Sequence, residues 1–215
     1  MKTKLLIALI AFTTVFTACK KDDDDTPDGG GTDTGDYQPV TAGSTWQYHS
    51  ESSGTYTETA LGTDTTIEGE KYYKFDNTAN GRRYISKSNG VYKQYGYVQE
   101  LQKSVNLKYL VDGAVGTNWT EEETISQGPI SVPVKAKFNI ASRDGSKVVN
   151  GHTYNSVIAV DIAITANVLG TELPVATAHQ FYAKGVGAIS SSLNLDFQGE
   201  TAMDSTYLVE PPVIK

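Results

Sequence analysis

Three histidines, His49, His152 and His179, have the widest chemical repertoire in this chain, because imidazole can ligate a metal or move a proton near neutral pH. They are far apart, each on or beside a predicted strand, and none forms the His-x-His or His-Glu-x-x-His spacing that aims two rings at one ion. No metal site is expected. Serines cluster at Ser86-Lys87-Ser88 and Ser190-Ser191-Ser192, but no Gly-x-Ser-x-Gly elbow surrounds them to present a nucleophile. Glu121-Glu122-Glu123 reads as a solvated run in a polar loop rather than as a glycosidase pair held roughly 5 to 10 Å apart. Lys184-Gly185-Val186-Gly187 leads into no helix that would cradle a phosphate, so its glycines are expected to mark a bulge or a sharp bend. These readings predict no enzyme, no catalytic residue and no cofactor.

Tyrosine is the enriched residue type with recognition potential. Nine of thirteen tyrosines lie between Tyr48 and Tyr109. In Val91-Tyr92-Lys93-Gln94-Tyr95-Gly96-Tyr97 a strand would point Tyr92 to one face and Tyr95 and Tyr97 to the other. A flat apolar ring with a polar tip suits sugar stacking or protein contact, which makes Tyr92, Tyr95 and Tyr97 candidate ligand-contacting residues. The alternative is a set of aromatic cross-strand pairs that stabilise a sheet by roughly 0.2 to 1 kcal/mol each.

The elements that must position these residues are strands. From Tyr154 to Val168, Ile158, Val160, Ile162, Ile164, Ala166 and Val168 share one face, with Ala159, Asp161, Ala163, Thr165 and Asn167 on the other. This period of two marks a half-buried antiparallel strand. Further strands are predicted through Gly43 to Tyr48, Thr55 to Thr59, Glu70 to Asp76, Arg82 to Lys87, Val91 to Val98, Val105 to Val111, Val132 to Ala141, Ala178 to Lys184, Gly187 to Leu193 and Ser205 to Glu210. Asn80-Gly81, Asn89-Gly90, Asp144-Gly145 and Asn150-Gly151 supply hairpin turns. Thr120-Glu121-Glu122-Glu123 is a capping-box-like start with nothing apolar following at helical spacing. Residues 37–215 are therefore expected to form one all-β domain of roughly a dozen strands with little helix, as an antiparallel β-sandwich or a strongly curved half-barrel sheet. Gly116-Thr117-Asn118-Trp119 echoes Gly43-Ser44-Thr45-Trp46, and Gly151-His152-Thr153-Tyr154 echoes Gly69-Glu70-Lys71-Tyr72. Tyr182 to Gly187 loosely echoes Tyr84 to Val91, which divides the domain into pseudo-repeats 37–113 and 114–215.

Residues 1–18 read as a leader: Lys2 and Lys4, an apolar run from Leu5 to Phe16, and Ala18 before Cys19, the sole cysteine. The run is shorter than the about 20 residues that span a bilayer. It resembles the bacterial lipoprotein signal, which implies cleavage between Ala18 and Cys19 and lipid attachment, palmitate included, at the Cys19 thiol. Several acyl chains on one residue anchor stably where one chain binds only marginally, each buried CH₂ contributing about 0.8 kcal/mol. Lys20 to Asp36 carries two Lys against seven Asp and nothing apolar, so residues 19–36 read as a disordered tether. At about 3.3 Å per residue it reaches at most roughly 55 Å. The Asp22 to Asp25 run beside the cysteine resembles the export signal of Bacteroidota surface lipoproteins, which implies an outer-membrane protein facing the medium. Residues 37–215 hold fourteen basic and eighteen acidic side chains without a basic stripe, which argues against nucleic acid as a partner.

Gly43 to Tyr48, Gly116 to Trp119, Gly151 to Ile158 and Tyr182 to Gly187 together resemble a family of Bacteroidota lipoproteins with a domain of unknown function, distantly similar to half-barrel carriers of the LolA and LolB type. The resemblance implies a curved antiparallel sheet with a concave face, and no activity. The expectation is a non-catalytic, membrane-anchored surface lipoprotein that binds an unknown protein or glycan. A periplasm-facing carrier of a lipid or other apolar ligand is the alternative, and a hydrolase stands third.

Overall fold

The computed structural model describes residues 35–98, 103–127, 130–197 and 200–215. The leader, the Ala18-Cys19 junction and the acidic stretch as far as residue 34 lie outside the described residues. Twelve strands follow one another: β1 (Thr45–Ser50), β2 (Gly54–Ile67), β3 (Glu70–Asn77), β4 (Gly81–Ser88), β5 (Val91–Val98), β6 (Lys103–Val111), β7 (Asn118–Gln127), β8 (Ile130–Val149), β9 (His152–Val168), β10 (Thr171–Ala183), β11 (Gly187–Phe197) and β12 (Glu200–Leu208). No helix occurs among the described residues.

The strands form one antiparallel sheet in the order β6-β5-β4-β3-β2-β1-β12-β11-β10-β9-β8-β7. β1 pairs with β2 on one side and β12 on the other, so two six-stranded meanders fuse where the first strand meets the last. That shared strand corrects the sandwich expectation: the sheet is continuous and curls into a nearly closed barrel instead of splitting into two layers. The paired sequence echoes fall on β1 and β7, β3 and β9, and β4 and β10, which are the first, third and fourth strands of each meander.

The two edges, β6 and β7, meet through side chains. Trp119 Nε1 donates to the Lys108 carbonyl at 2.9 Å, and the Lys108 amide donates to Glu121 Oε2 at 3.4 Å. Ion pairs of Lys108 with Glu121 (3.6 Å) and of Lys103 with Glu123 extend the seam. Glu122, on the other face, pairs with Lys135 at 3.2 Å. The glutamate run is therefore an edge strand and not a loop, because lysines of β6 and β8 compensate charges that would otherwise repel. Replacing Glu121 with Ala is expected to cost about 1–2 kcal/mol, the penalty of leaving an amide and an ammonium under-satisfied. Hydrogen exchange at the Lys108 amide should speed up in that variant while β9 amides are unchanged.

Asn89-Gly90 and Asn150-Gly151 turn as expected, both asparagines at positive φ (50° and 48°). Asp144-Gly145 does not. β8 runs on to Val149, and the dipeptide lies in an irregular stretch between Ile140 and Ser146 where the register against β9 shifts. It is a bulge, with Asp144 at φ 57°.

The predicted inward face of β9 holds: Ile158, Val160, Ile162, Ile164 and Ala166 are all buried. Val134, Ala136, Phe138 and Ile140 of β8 pack beside them, so the wall of β8 and β9 is apolar. Trp46 anchors the opposite wall. It is fully buried, packs 5.9 Å from Phe75, and donates from Nε1 to the Val186 carbonyl at 2.6 Å, tying β1 to the β10–β11 turn. The interior is thus apolar along β8 and β9 and mixed elsewhere, with Gln180, Ser191 and Asp204 adding polar groups from β10, β11 and β12.

Candidate functional site

The mixed side encloses a cavity of about 240 Å³. Antiparallel alternation puts Ser52 and Ser53 of the β1–β2 turn and Asn80 of the β3–β4 turn at one end, where they form its mouth. The chain enters the barrel at the other end. The Asp36 carbonyl accepts from the Gly185 amide at 2.6 Å, the Asp36 carboxylate pairs with Lys87 at 2.7 Å, and the Tyr37 amide donates to Tyr92 Oη at 3.3 Å. Gln38 then accepts from Tyr109 Oη at 3.3 Å and, with Trp46 and Tyr182, makes the cavity floor. One end is stoppered by the chain's own N-terminal segment and the other is open.

At mid-height lies a buried ion pair. Arg83 Nη1 donates to Glu58 Oε2 at 2.5 Å, and Nη2 donates to Gln94 Oε1. Glu58 is 4% exposed. Burial opposes the Arg83 charge, but Glu58 and the tyrosine hydroxyls nearby more than offset it and hold its pKa above the ordinary value. Nearer the mouth, Asp204 accepts from Ser50 Oγ (3.3 Å), the Ser52 amide (3.2 Å) and Ser52 Oγ (2.9 Å). Both carboxylates are met by donors within the wall.

The remaining wall is tyrosine. Burial pushes the hydroxyls of Tyr48 and Tyr109 far up, with Glu58 adding for Tyr48 and Tyr182 for Tyr109. Burial also raises Tyr182, and raises Tyr56 to about 12. These rings stay neutral across the physiological range. An unfolded tyrosine ionises near 10, so above that pH the unfolded chain has lost protons that the folded chain still holds. Stability is therefore complete below about pH 10 and falls as pH rises, for Tyr56 over a window from about 10 to about 12. Alkaline titration followed by tyrosinate absorbance should show a class of tyrosines that ionises only together with loss of the β-sheet circular dichroism signal.

The residues singled out from sequence are dispersed. His49 bonds Thr55 Oγ1 at 3.1 Å, His152 pairs with Glu210 at 3.3 Å, and His179 pairs with Asp161 at 2.7 Å, all outside the cavity. Among the described residues, no three His, Cys, Asp or Glu side chains gather as a metal site would require. Ser86 donates to Glu70 at 2.6 Å, and Ser191 lines the cavity. Tyr92 faces inward, 6.3 Å from Tyr109. Tyr95 faces outward with edge contacts to Tyr72 (6.0 Å) and Tyr84 (6.4 Å), and Tyr97 is half-buried on that outer side. The three do not share a surface. Tyr48, Tyr56, Glu58, Arg83, Gln94, Tyr109, Tyr182 and Asp204, which the cavity does gather, escaped the sequence reading. Their signal was phase: Glu58 is in step with Ala60, and Arg83 with Ile85, so each is a charge at an inward position.

No protein-family model matches the chain, and no curated protein is similar to it. Three solved structures align with it over most of their length. A candidate lipoprotein from Parabacteroides distasonis aligns with 13% identity and a TM-score of 0.48, over 83% of this chain and 99% of its own. A candidate exported protein with a YmcC-like fold from Bacteroides fragilis aligns with 8% identity and a TM-score of 0.42, over 82% and 98%. The hypothetical lipoprotein YmcC from Escherichia coli aligns with 12% identity and a TM-score of 0.38, over 81% and 90%. Likenesses this distant assign no residue a role.

Proposed function

We propose that this chain is a non-catalytic binding protein, lipid-anchored at Cys19 to the outer membrane and facing the medium, whose ligand is a protein segment or glycan that enters the barrel. The observation that carries this reading is the cavity, open at one end and floored at the other by the segment that leads back toward the anchor. Catalysis is disfavoured by the state of the titratable groups inside: Arg83 is engaged by Glu58, Asp204 is engaged by three serine donors, and the tyrosines are neutral. An acyl ligand is disfavoured by Gln38, Gln94, Gln180, Ser50 and Asn80 in the lining.

The anchor is tested by metabolic labelling with palmitate, where a Cys19→Ser chain should lose the label, and the exposure by protease added to intact cells, which should remove the barrel. The site is tested by screening the purified mature chain against glycans and proteins, beside a Thr206→Trp variant that fills the cavity. A ligand lost on filling supports the reading; a ligand indifferent to filling, or no ligand in either class, overturns it.

A further inference from the structure

We propose that the cavity receives the neutral terminal sugar ring of a glycan; this rests on the binding-protein reading above. Size sets the first limit. At about 240 Å³ the space is smaller than the about 300 Å³ at which drug-sized pockets begin, so it holds about one ring, with any remaining chain leaving past Ser52, Ser53 and Asn80.

Charge sets the second limit. Arg83 and Glu58 neutralise each other, and Asp204 is satisfied by Ser50 and Ser52. A ligand carboxylate would meet two buried carboxylates against a single guanidinium, and a ligand ammonium would meet Arg83 and compete with the Ser50 and Ser52 donors for Asp204. Either encounter is costly in a desolvated site. A neutral polyhydroxyl ligand avoids both.

Shape and hydrogen bonding set the third. Tyr48, Tyr56, Tyr109 and Tyr182 give neutral flat walls of the kind that pack on the C–H faces of a pyranose. Between them stand side-chain amides, and two have a fixed orientation. Gln94 Oε1 is held by Arg83, and Gln180 Oε1 is held by Tyr182 Oη at 2.6 Å, which makes the Nε2 groups the donor side. Ser53 and Thr206 add hydroxyls that both donate and accept, the capacity that sugar hydroxyls require in return.

The test is calorimetric titration of the purified mature chain with methyl glycosides of neutral hexoses and N-acetylhexosamines, with uronic acids, free amino acids and octanoate as parallel arms. The expected result is binding of at least one neutral glycoside, weakened tenfold or more by Gln94→Ala and abolished by Thr206→Trp, both variants showing the parent's circular dichroism. Neutral glycoside binding that survives both variants overturns the inference. Binding confined to uronates or amino acids, and lost with Thr206→Trp, overturns it while leaving the binding-protein reading standing; binding confined to octanoate overturns both. Silence in every arm overturns the sugar assignment, and with silence in the protein screen the wider reading falls too.

Discussion

Replacing Arg83 with Met should lower the unfolding free energy by about 3–5 kcal/mol, because it strands Glu58 as an unpaired carboxylate in the barrel interior. Glu58 is 4% exposed and takes its charge-assisted bond from Arg83 Nη1, so the variant leaves a buried carboxylate without its cation. Gln94 also loses the donor that fixes its carbonyl. The double variant Arg83→Met with Glu58→Leu removes both charges, and it should recover most of the loss, since a buried ion pair is often no more stabilising than apolar groups of similar volume. Urea denaturation of the parent, both single variants and the double variant measures the coupling. A single-variant loss below about 1 kcal/mol, the scale of an exposed pair, would show the pair to be solvated and would remove the desolvation argument for a neutral ligand.

The second large effect is expected at Gly62. This residue sits at φ 73° in the irregular stretch of β2 between Ala60 and Asp64. A Cβ there would lie 2.3 Å from Ala42 Cβ and 3.1 Å from Ala42 Cα. The approach cannot relax easily. The Gly43 amide donates to the Ala60 carbonyl at 2.8 Å and the Ala60 amide donates to the Ser44 carbonyl at 2.9 Å, which clamps the N-terminal segment against β2. Gly62→Ala therefore combines a left-handed backbone penalty of about 1–2 kcal/mol with overpacking of about 1–3 kcal/mol. At about 2–4 °C per kcal/mol for a domain of this size, thermal unfolding should shift down by roughly 4–20 °C. An unchanged midpoint would mean that the segment before β1 is not packed against the barrel.

Much of the fold was legible because its signals are local. The alternation along β9 requires one dry face, and Asn89-Gly90 and Asn150-Gly151 tolerate the backbone their turns adopt. Where the reading failed, the deciding partner was remote in sequence. Asp144-Gly145 has the composition of a hairpin turn, yet β9 offers β8 a partner all the way to Val149, and the dipeptide is absorbed as a bulge. Three adjacent glutamates look like a solvated loop until Lys103, Lys108 and Lys135 arrive from neighbouring strands. The site was the least legible part. Glu58 and Arg83 are 25 residues apart, and Asp204 and Ser50 are separated by 154. The first pair meets across β3, and the second only because β1 joins β12. The tyrosines drew attention for their number, but membership in the cavity depends on which face each occupies, and Tyr92 and Tyr95 differ in that respect although both lie on β5.

The stoppered end of the barrel also has a mechanical meaning. Traction along an anchored leash would load the Asp36 contacts with Lys87 and Gly185 first, then Tyr37 on Tyr92, and then Gln38 on Tyr109, before it reached any strand-to-strand ladder. Because Gln38 and Tyr109 also bound the space inside, an occupant resting on them would stiffen that mooring, and the force needed to draw the leash root out of the barrel would rise with occupancy.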